Sequence, residues 1–195
     1  GVLLVARTPE MHEHLKNEFQ RRRVRKEYLA LVHGVVSEDH GSVKLPLARS
    51  KRNPLRRTIA TFGSGTEAET WFRVLERFRE HTLLAVYPKT GRMHQIRVHL
   101  SHLGFPVVGD SVYGRKSRHR TPQGLTRQFL HATALTLPLP FGKIRRFKSP
   151  LPAELASVLE VLRATPEEAQ EPPLSFRWRT PRAQPRARRR PGPRA

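Results

Sequence analysis

Residues 92–102 read RMHQIRVHLSH, placing two arginines and three histidines within one short stretch. His94, His99 and His102 first raise a metal site. Their spacing is not the same-face pair of a helical zinc site, and neither a cysteine nor a nearby helical carboxylate completes a ligand set. They read instead as structural or RNA-contacting histidines. Arg97 lies one step around from the apolar stripe Met93, Ile96, Leu100 and Leu103, at the edge of a core-facing surface. An arginine there needs a carboxylate partner, because an unpaired buried charge costs several kcal/mol. Arg92 and Arg97 can also be read as surface phosphate contacts.

Three further groups carry candidate chemistry. Tyr28 follows Lys26-Glu27 at the head of an apolar strand. It is either a core tyrosine with its hydroxyl at the rim or a platform for an unpaired base, and spacing alone favours the core reading. The run Arg49, Lys51, Arg52, Arg56 and Arg57 is either a solvated basic loop or a set of phosphate contacts. The only aspartates are Asp39, which reads as a solvated turn, and Asp110, which reads as a residue holding its own loop.

The elements that must position these residues follow from periodicity and capping. VLLVAR predicts a short strand. TPEMHEHLKNEFQRR predicts a helix with Thr8 as N-cap, Pro9 at its first position, and Met11, Leu15 and Phe19 on one face. KEYLALVHGVV predicts a strand, and residues 37–66 a stretch punctuated by glycine and proline. ETWFRVLERF and TLLAVYP predict two more strands. They lead through a Thr90-Gly91 turn into a helix capped at Gly104. The loop GFPVVGDSVYGRKSRHRTPQG, strands at FLHATALTL and RRFKS, and a helix at AELASVLEVLR complete the series. Strands and helices without regular alternation predict an α+β fold, a mixed and largely antiparallel sheet flanked by helices.

The charge points to a polyanion. The net charge is +21, and removing the eight arginines after Glu171 still leaves +13. Arginine outnumbers lysine 29 to 8, which suits phosphate forks but equally fits a GC-rich genome. The proline- and arginine-rich end from residue 164 to residue 195 predicts a disordered tail, with one domain at 1–163. With no cysteine and no apolar run near the roughly 20 residues of a membrane span, the expectation is a cytoplasmic protein with no membrane partner.

GRMHQIRVHLSHLGFPVVGDSVYG resembles the signature of the RluA-type pseudouridine synthases. KEYLALVHG is similar to their tyrosine motif, and FLHATALTLPLP followed by RRFKSPLPAEL to their C-terminal segment. The middle region, residues 41–78, also follows the family in order. The resemblance implies the pseudouridine synthase fold and isomerisation of specific uridines in ribosomal or transfer RNA, by a monomer without metal or small-molecule cofactor. It implies that Tyr28 stacks on the target base, that Arg97 pairs with a catalytic aspartate, and that Leu130 lines the base pocket. Ile96, Arg92 and His94 of the same signature are expected on the substrate side. The family's nucleophile stands in H-R-L-D-x-x-T-S-G, whose last glycine aligns with Gly1, so the aspartate is expected about five residues upstream and no nucleophile within residues 1–195. The competing readings are an RNA-binding module of the same fold without catalysis and, more weakly, a DNA-binding protein using the 93–103 helix. Sequence upstream of Gly1 separates the enzyme from the RNA-binding module. The short polar face of the helix argues against the DNA-binding reading.

Overall fold

The computed structural model describes residues 1–61, 63–114, 121–122 and 124–164. Its elements are α1 (Pro9–Gln20), β1 (Arg25–His33), β2 (His40–Lys44), β3 (Leu47–Arg49), β4 (Arg57–Ile59), β5 (Glu69–Arg77), β6 (His81–Pro88), α2 (Gln95–His102), β7 (Leu130–Pro138), β8 (Ile144–Lys148) and α3 (Ala153–Ala164). The expected tail beyond Ala164 and residues 115–120 and 123 of the expected loop lie outside the described residues.

Alternation in KEYLALVHG sends Tyr28, Ala30 and Val32 to one side of β1 and Leu31 to the other. Both sides are covered. Ala30 and Val32 pack with Phe72, Leu84 and Val86 of neighbouring strands and with Ile96 and Leu100 of α2. Leu31 packs with Leu83, Phe129 and the α3 residues Leu155, Val158 and Leu159. The strands form one antiparallel sheet in the order β2-β5-β6-β1-β7-β8, with β3-β4 as a separate hairpin. The α+β class holds. Burial of a leucine such as Leu100 contributes about 1.5–3 kcal/mol, so α2 is fixed to the sheet chiefly by its apolar stripe.

Several expectations change. VLLVAR forms no strand: Val2 N donates to Ala132 O, but β7 is already bonded to β1 and β8 and offers no continuous edge. The segment still alternates, with Leu4 and Ala6 packed beside Leu15 and Leu137 while Leu3 and Val5 are exposed. The 37–66 stretch contains β2, β3 and β4, strands too short to show a period. Helix α1 has its expected cap, Thr8 Oγ1 accepting from Met11 N at 3.2 Å, yet Phe19 is 43% exposed: the face that α1 buries runs through Met11, Leu15 and Glu18.

Helix α2 is shorter than the apolar pattern predicts. His94 adopts a left-handed conformation, φ 57°, so the helix starts only at Gln95 and Met93 stays outside it, 49% exposed. The C-terminal end follows the prediction, with Gly104 at φ 90° and Phe105 N donating to Leu100 O.

Candidate active site

A cavity of about 370 Å³ opens where α2 meets the sheet. Tyr28 and Lys26 of β1, Pro88 at the end of β6 and Leu130 at the start of β7 line it on the sheet side. The Thr90–Arg92 turn and the start of α2, through His94, Ile96 and Arg97, form the other wall. The pairing of β1 with β7 shifts register between Glu27 and Tyr28, a bulge of the kind that re-aims a side chain. Fold and sequence therefore bring together Tyr28, Leu130, Ile96, Arg92, His94 and Arg97, drawn from three elements far apart in the chain.

The wall is held by Gln95, a residue that no periodicity singles out. It is 4% exposed, and its oxygen accepts from Thr90 Oγ1 at 2.7 Å and from Arg92 N at 2.9 Å. Its amide nitrogen donates to Glu69 O at 2.9 Å and Thr70 Oγ1 at 3.0 Å, so the whole amide is satisfied. The chain of bonds runs on in both directions. Thr70 Oγ1 lies 2.9 Å from His99 Nδ1, and His99 Nε2 lies 3.0 Å from Leu45 O. At the other end Lys26 Nζ donates to Thr90 O at 2.9 Å. With Nε2 as the donor to the carbonyl, Nδ1 accepts from the threonine hydroxyl, which fixes His99 as the neutral tautomer.

The electrostatics follow from this burial. Desolvation raises the Tyr28 phenol above its ordinary value, so the ring stays neutral at physiological pH. Desolvation, then the Arg92 charge, lowers Lys26. His94 is lowered by burial and by Arg97 and Arg57 against the opposing pull of Asp110, and His99 by burial and His102 against its bond to Leu45 O. A histidine with a lowered folded value binds fewer protons folded than unfolded. Its contribution to stability is complete above the unfolded value of 6.5 and is lost as pH falls through the folded value. Urea unfolding at pH 7.5 and pH 5 is therefore expected to show a lower midpoint at the acid value, and a His99→Asn variant a smaller difference between the two. A midpoint unchanged down to pH 5 would contradict a neutral, buried His99.

Arg97 has a carboxylate partner within the chain: its Nε donates to Asp110 Oδ2 at 2.6 Å and its Nη2 to Asp110 Oδ1 at 2.7 Å. Both residues are buried. Asp110 Oδ1 also accepts from Val112 N and Tyr113 N, both at 2.9 Å, so it does hold its loop as expected, and it holds α2 as well. Arg97 lies over the Tyr113 ring, and Tyr113 meets His94 Nδ1 through its hydroxyl at 3.0 Å. Gly109 precedes this knot at φ 76°, where a Cβ would sit 2.4 Å from Arg127 O, so no other residue fits.

The other charged candidates are distributed unequally. Arg49, Lys51 and Arg52 are exposed on the β3–β4 hairpin. Arg56 is not free: its Nη2 donates to Val112 O and its guanidinium lies near the Tyr113 ring. Arg57 N donates to Tyr113 OH at 2.8 Å. Asp39 is exposed and bonded to Arg77 Nη2 at 2.7 Å, away from the cavity. Among the described residues no carboxylate lines the cavity. The three histidines diverge, His94 to Tyr113, His99 into the core and His102 to the surface.

The family model for RNA pseudouridylate synthase matches residues 1–102, which hold Tyr28, Arg92 and α2. The chain belongs to this family. Among curated relatives, an uncharacterized RNA pseudouridine synthase of Chloroflexus aurantiacus is 45% identical over 163 residues, covering 83% of this chain and 50% of that protein. The ribosomal large subunit pseudouridine synthase D of Nitrosomonas europaea is 42% identical over 180 residues, 89% of this chain and 51% of that one. Its Escherichia coli namesake is 38% identical over 184 residues, 88% and 55%. The chain thus spans about half the length of these curated relatives. The structure of human RNA pseudouridylate synthase domain containing 1 matches with a TM-score of 0.67 at 30% identity, covering 83% of this chain and 75% of that one. The cavity described above therefore lies in a pseudouridylate synthase fold.

Proposed function

We propose that residues 1–163 form the greater part of the catalytic domain of an RNA pseudouridine synthase acting on large-subunit ribosomal RNA. The observation that carries this is the cavity: an aromatic ring and two aliphatic side chains, Tyr28, Leu130 and Ile96, make a slot for a flat base beneath cationic groups. The names of the relatives from Nitrosomonas europaea and Escherichia coli support ribosomal RNA over transfer RNA. A flipped uridine stacks on Tyr28, which offsets part of the few kcal/mol that extrusion costs. In the family's reaction an aspartate attacks C1′ and displaces N1, the detached base turns, and C5 bonds to C1′ as the bond from C1′ to the aspartate breaks and frees the carboxylate. The C5 hydrogen leaves as a proton and N1 gains one, so the reaction is an isomerisation that calls for no redox or metal chemistry.

The nucleophile comes from outside residues 1–195 on this reading, since Asp110 is locked to Arg97 and Asp39 lies away from the cavity. Gly1 abuts Ala132, with a Cβ there 3.0 Å from the Ala132 backbone, and Ala132 pairs with Tyr28 across β1 and β7. Five residues reach at most about 17 Å, which suffices to bring an upstream aspartate to the cavity. There it would meet Lys26 and Arg92, while Arg97 holds the wall in place through Asp110. The protein works as a cytoplasmic monomer on this reading; among the described residues no helix is long and apolar enough to cross a membrane.

The test is pseudouridine formation on ribosomal RNA from cells lacking the modification. Residues 1–195 are expected to form none, and the same chain with an H-R-L-D-x-x-T-S segment ahead of Gly1 is expected to form it. RNA binding without turnover by the extended protein would instead favour a non-catalytic module. Turnover by residues 1–195 alone would show that one of the carboxylates set aside above is the nucleophile.

A further inference from the structure

Beside the base cavity lies a second cleft, about 400 Å³, between the β3–β4 hairpin and the Arg92-Met93 turn. Arg49, Arg57 and Arg92 line it together with Thr66 and Met93, and among the described residues no carboxylate does. Arg49 and Arg57 are direct cross-strand partners in the hairpin. Like charges placed opposite each other in a two-stranded ladder repel, a cost that this hairpin bears although Leu47 and Ile59 anchor it on Ala68, Val98 and Tyr113. Among the described residues none of the three arginines makes an ion pair. Arg57 is the most poorly served: Nη1 is buried without a hydrogen-bond partner, and Nη2 meets only the Met93 thioether, a weak acceptor, at 3.4 Å.

We propose that this cleft is a phosphate subsite, taking the phosphodiester adjacent to the uridine seated on Tyr28, with Met93 as a cover that the phosphate displaces. The proposal rests on the base-cavity reading above and adds to it the chemistry of the neighbouring group. A phosphate satisfies all three observations. Its anionic oxygens bridge the opposed arginines, supply the acceptor that Arg57 lacks, and out-compete a thioether for a guanidinium fork. Arg92 lines both the cleft and the base cavity, so the phosphate held here belongs to the nucleotide in the cavity or its immediate neighbour. Met93 is exposed, outside α2 and unbranched, so it can swing aside without disturbing the helix.

The probes are uridine and uridine 3′,5′-bisphosphate, titrated calorimetrically into the 195-residue chain at low salt. The bisphosphate is expected to bind about tenfold tighter than uridine or better, since it adds charge-assisted bonds to the same base contact. An Arg49→Gln, Arg57→Gln double variant is expected to lose that advantage while keeping the wild-type affinity for uridine. Met93→Ser is expected to strengthen bisphosphate binding and leave uridine binding unchanged. Melting temperatures of both variants check folding, and the Met93 variant gives an independent reading if the arginine variant melts early. Equal binding of the two probes, or an advantage that survives the double substitution, overturns the phosphate subsite. Unchanged bisphosphate affinity in the Met93 variant overturns its role as a cover. Bisphosphate binding through these arginines with no uridine binding at all would instead count against the base-cavity reading and leave the subsite standing.

Discussion

Arg97→Met is expected to lower the unfolding free energy by about 3–5 kcal/mol, a large fraction of what a single domain possesses. The substitution strands Asp110, which is 4% exposed and keeps only the Val112 and Tyr113 amides as donors. Desolvation pushes the Asp110 carboxyl up, but hydrogen bonds from Arg97 and from these two amides outweigh it and hold it below the ordinary range. Its contribution to stability is present above the unfolded value of 3.8 and is lost as pH falls through the folded value. An Arg97→Met, Asp110→Asn double variant is expected to be less destabilised than the sum of the singles, because neither partner is left charged and alone. Urea unfolding midpoints at constant slope measure all three variants. If Arg97→Met unfolds within about 1 kcal/mol of the parent, the pair does not organise the wall. If it remains folded yet abolishes turnover in a protein carrying the H-R-L-D segment, Arg97 acts on the reacting groups themselves, as the family resemblance implies.

In that same extended protein, Tyr28→Ala is expected to reduce turnover about 10- to 100-fold, matching the roughly 1–3 kcal/mol that one base gains by stacking on an aromatic ring. Tyr28 also packs against the sheet core beside Leu130, so the alanine variant loses stability as well. Tyr28→Phe separates the two effects, since it keeps the ring and the packing and removes only the hydroxyl. It should retain the melting temperature and most of the affinity for uridine. Turnover per folded molecule is the deciding quantity. Should the alanine variant's loss be fully accounted for by its unfolded fraction, Tyr28 belongs to the core alone.

Much of this was legible before any coordinates. The antiparallel α+β plan follows from period-2 runs such as KEYLALVHG, and α1 from Thr8, Pro9 and the stripe behind them. The resemblance of GRMHQIR, KEYLALVHG and FLHATALTLPLP to one family implied that Tyr28, Arg92, His94, Ile96, Arg97 and Leu130 lie on the substrate side, and all six line one cavity. Met93 fits the apolar spacing but lies off the helix, because apolar spacing carries no signal for the left-handed turn at His94. Gln95 is not legible in the sequence because a buried amide carries no periodic signal; only its four partners reveal its role.

The sequence by itself determined what kinds of groups are present and which local elements they join, because propensity, capping and alternation act over a few residues. It also set a condition on Arg97, that a carboxylate must accompany it if the helix buries it, since an unpaired buried charge is costly in any fold. Only the tertiary structure decided which carboxylate that is. Asp110 lies thirteen residues away, and the meeting depends on how α2 and the following loop pack on a sheet whose strands come from across the chain. The same packing opposes Arg49 to Arg57 and sets Arg92 between two cavities. Partner choice is a matter of distance in space, and distance along the chain does not encode it.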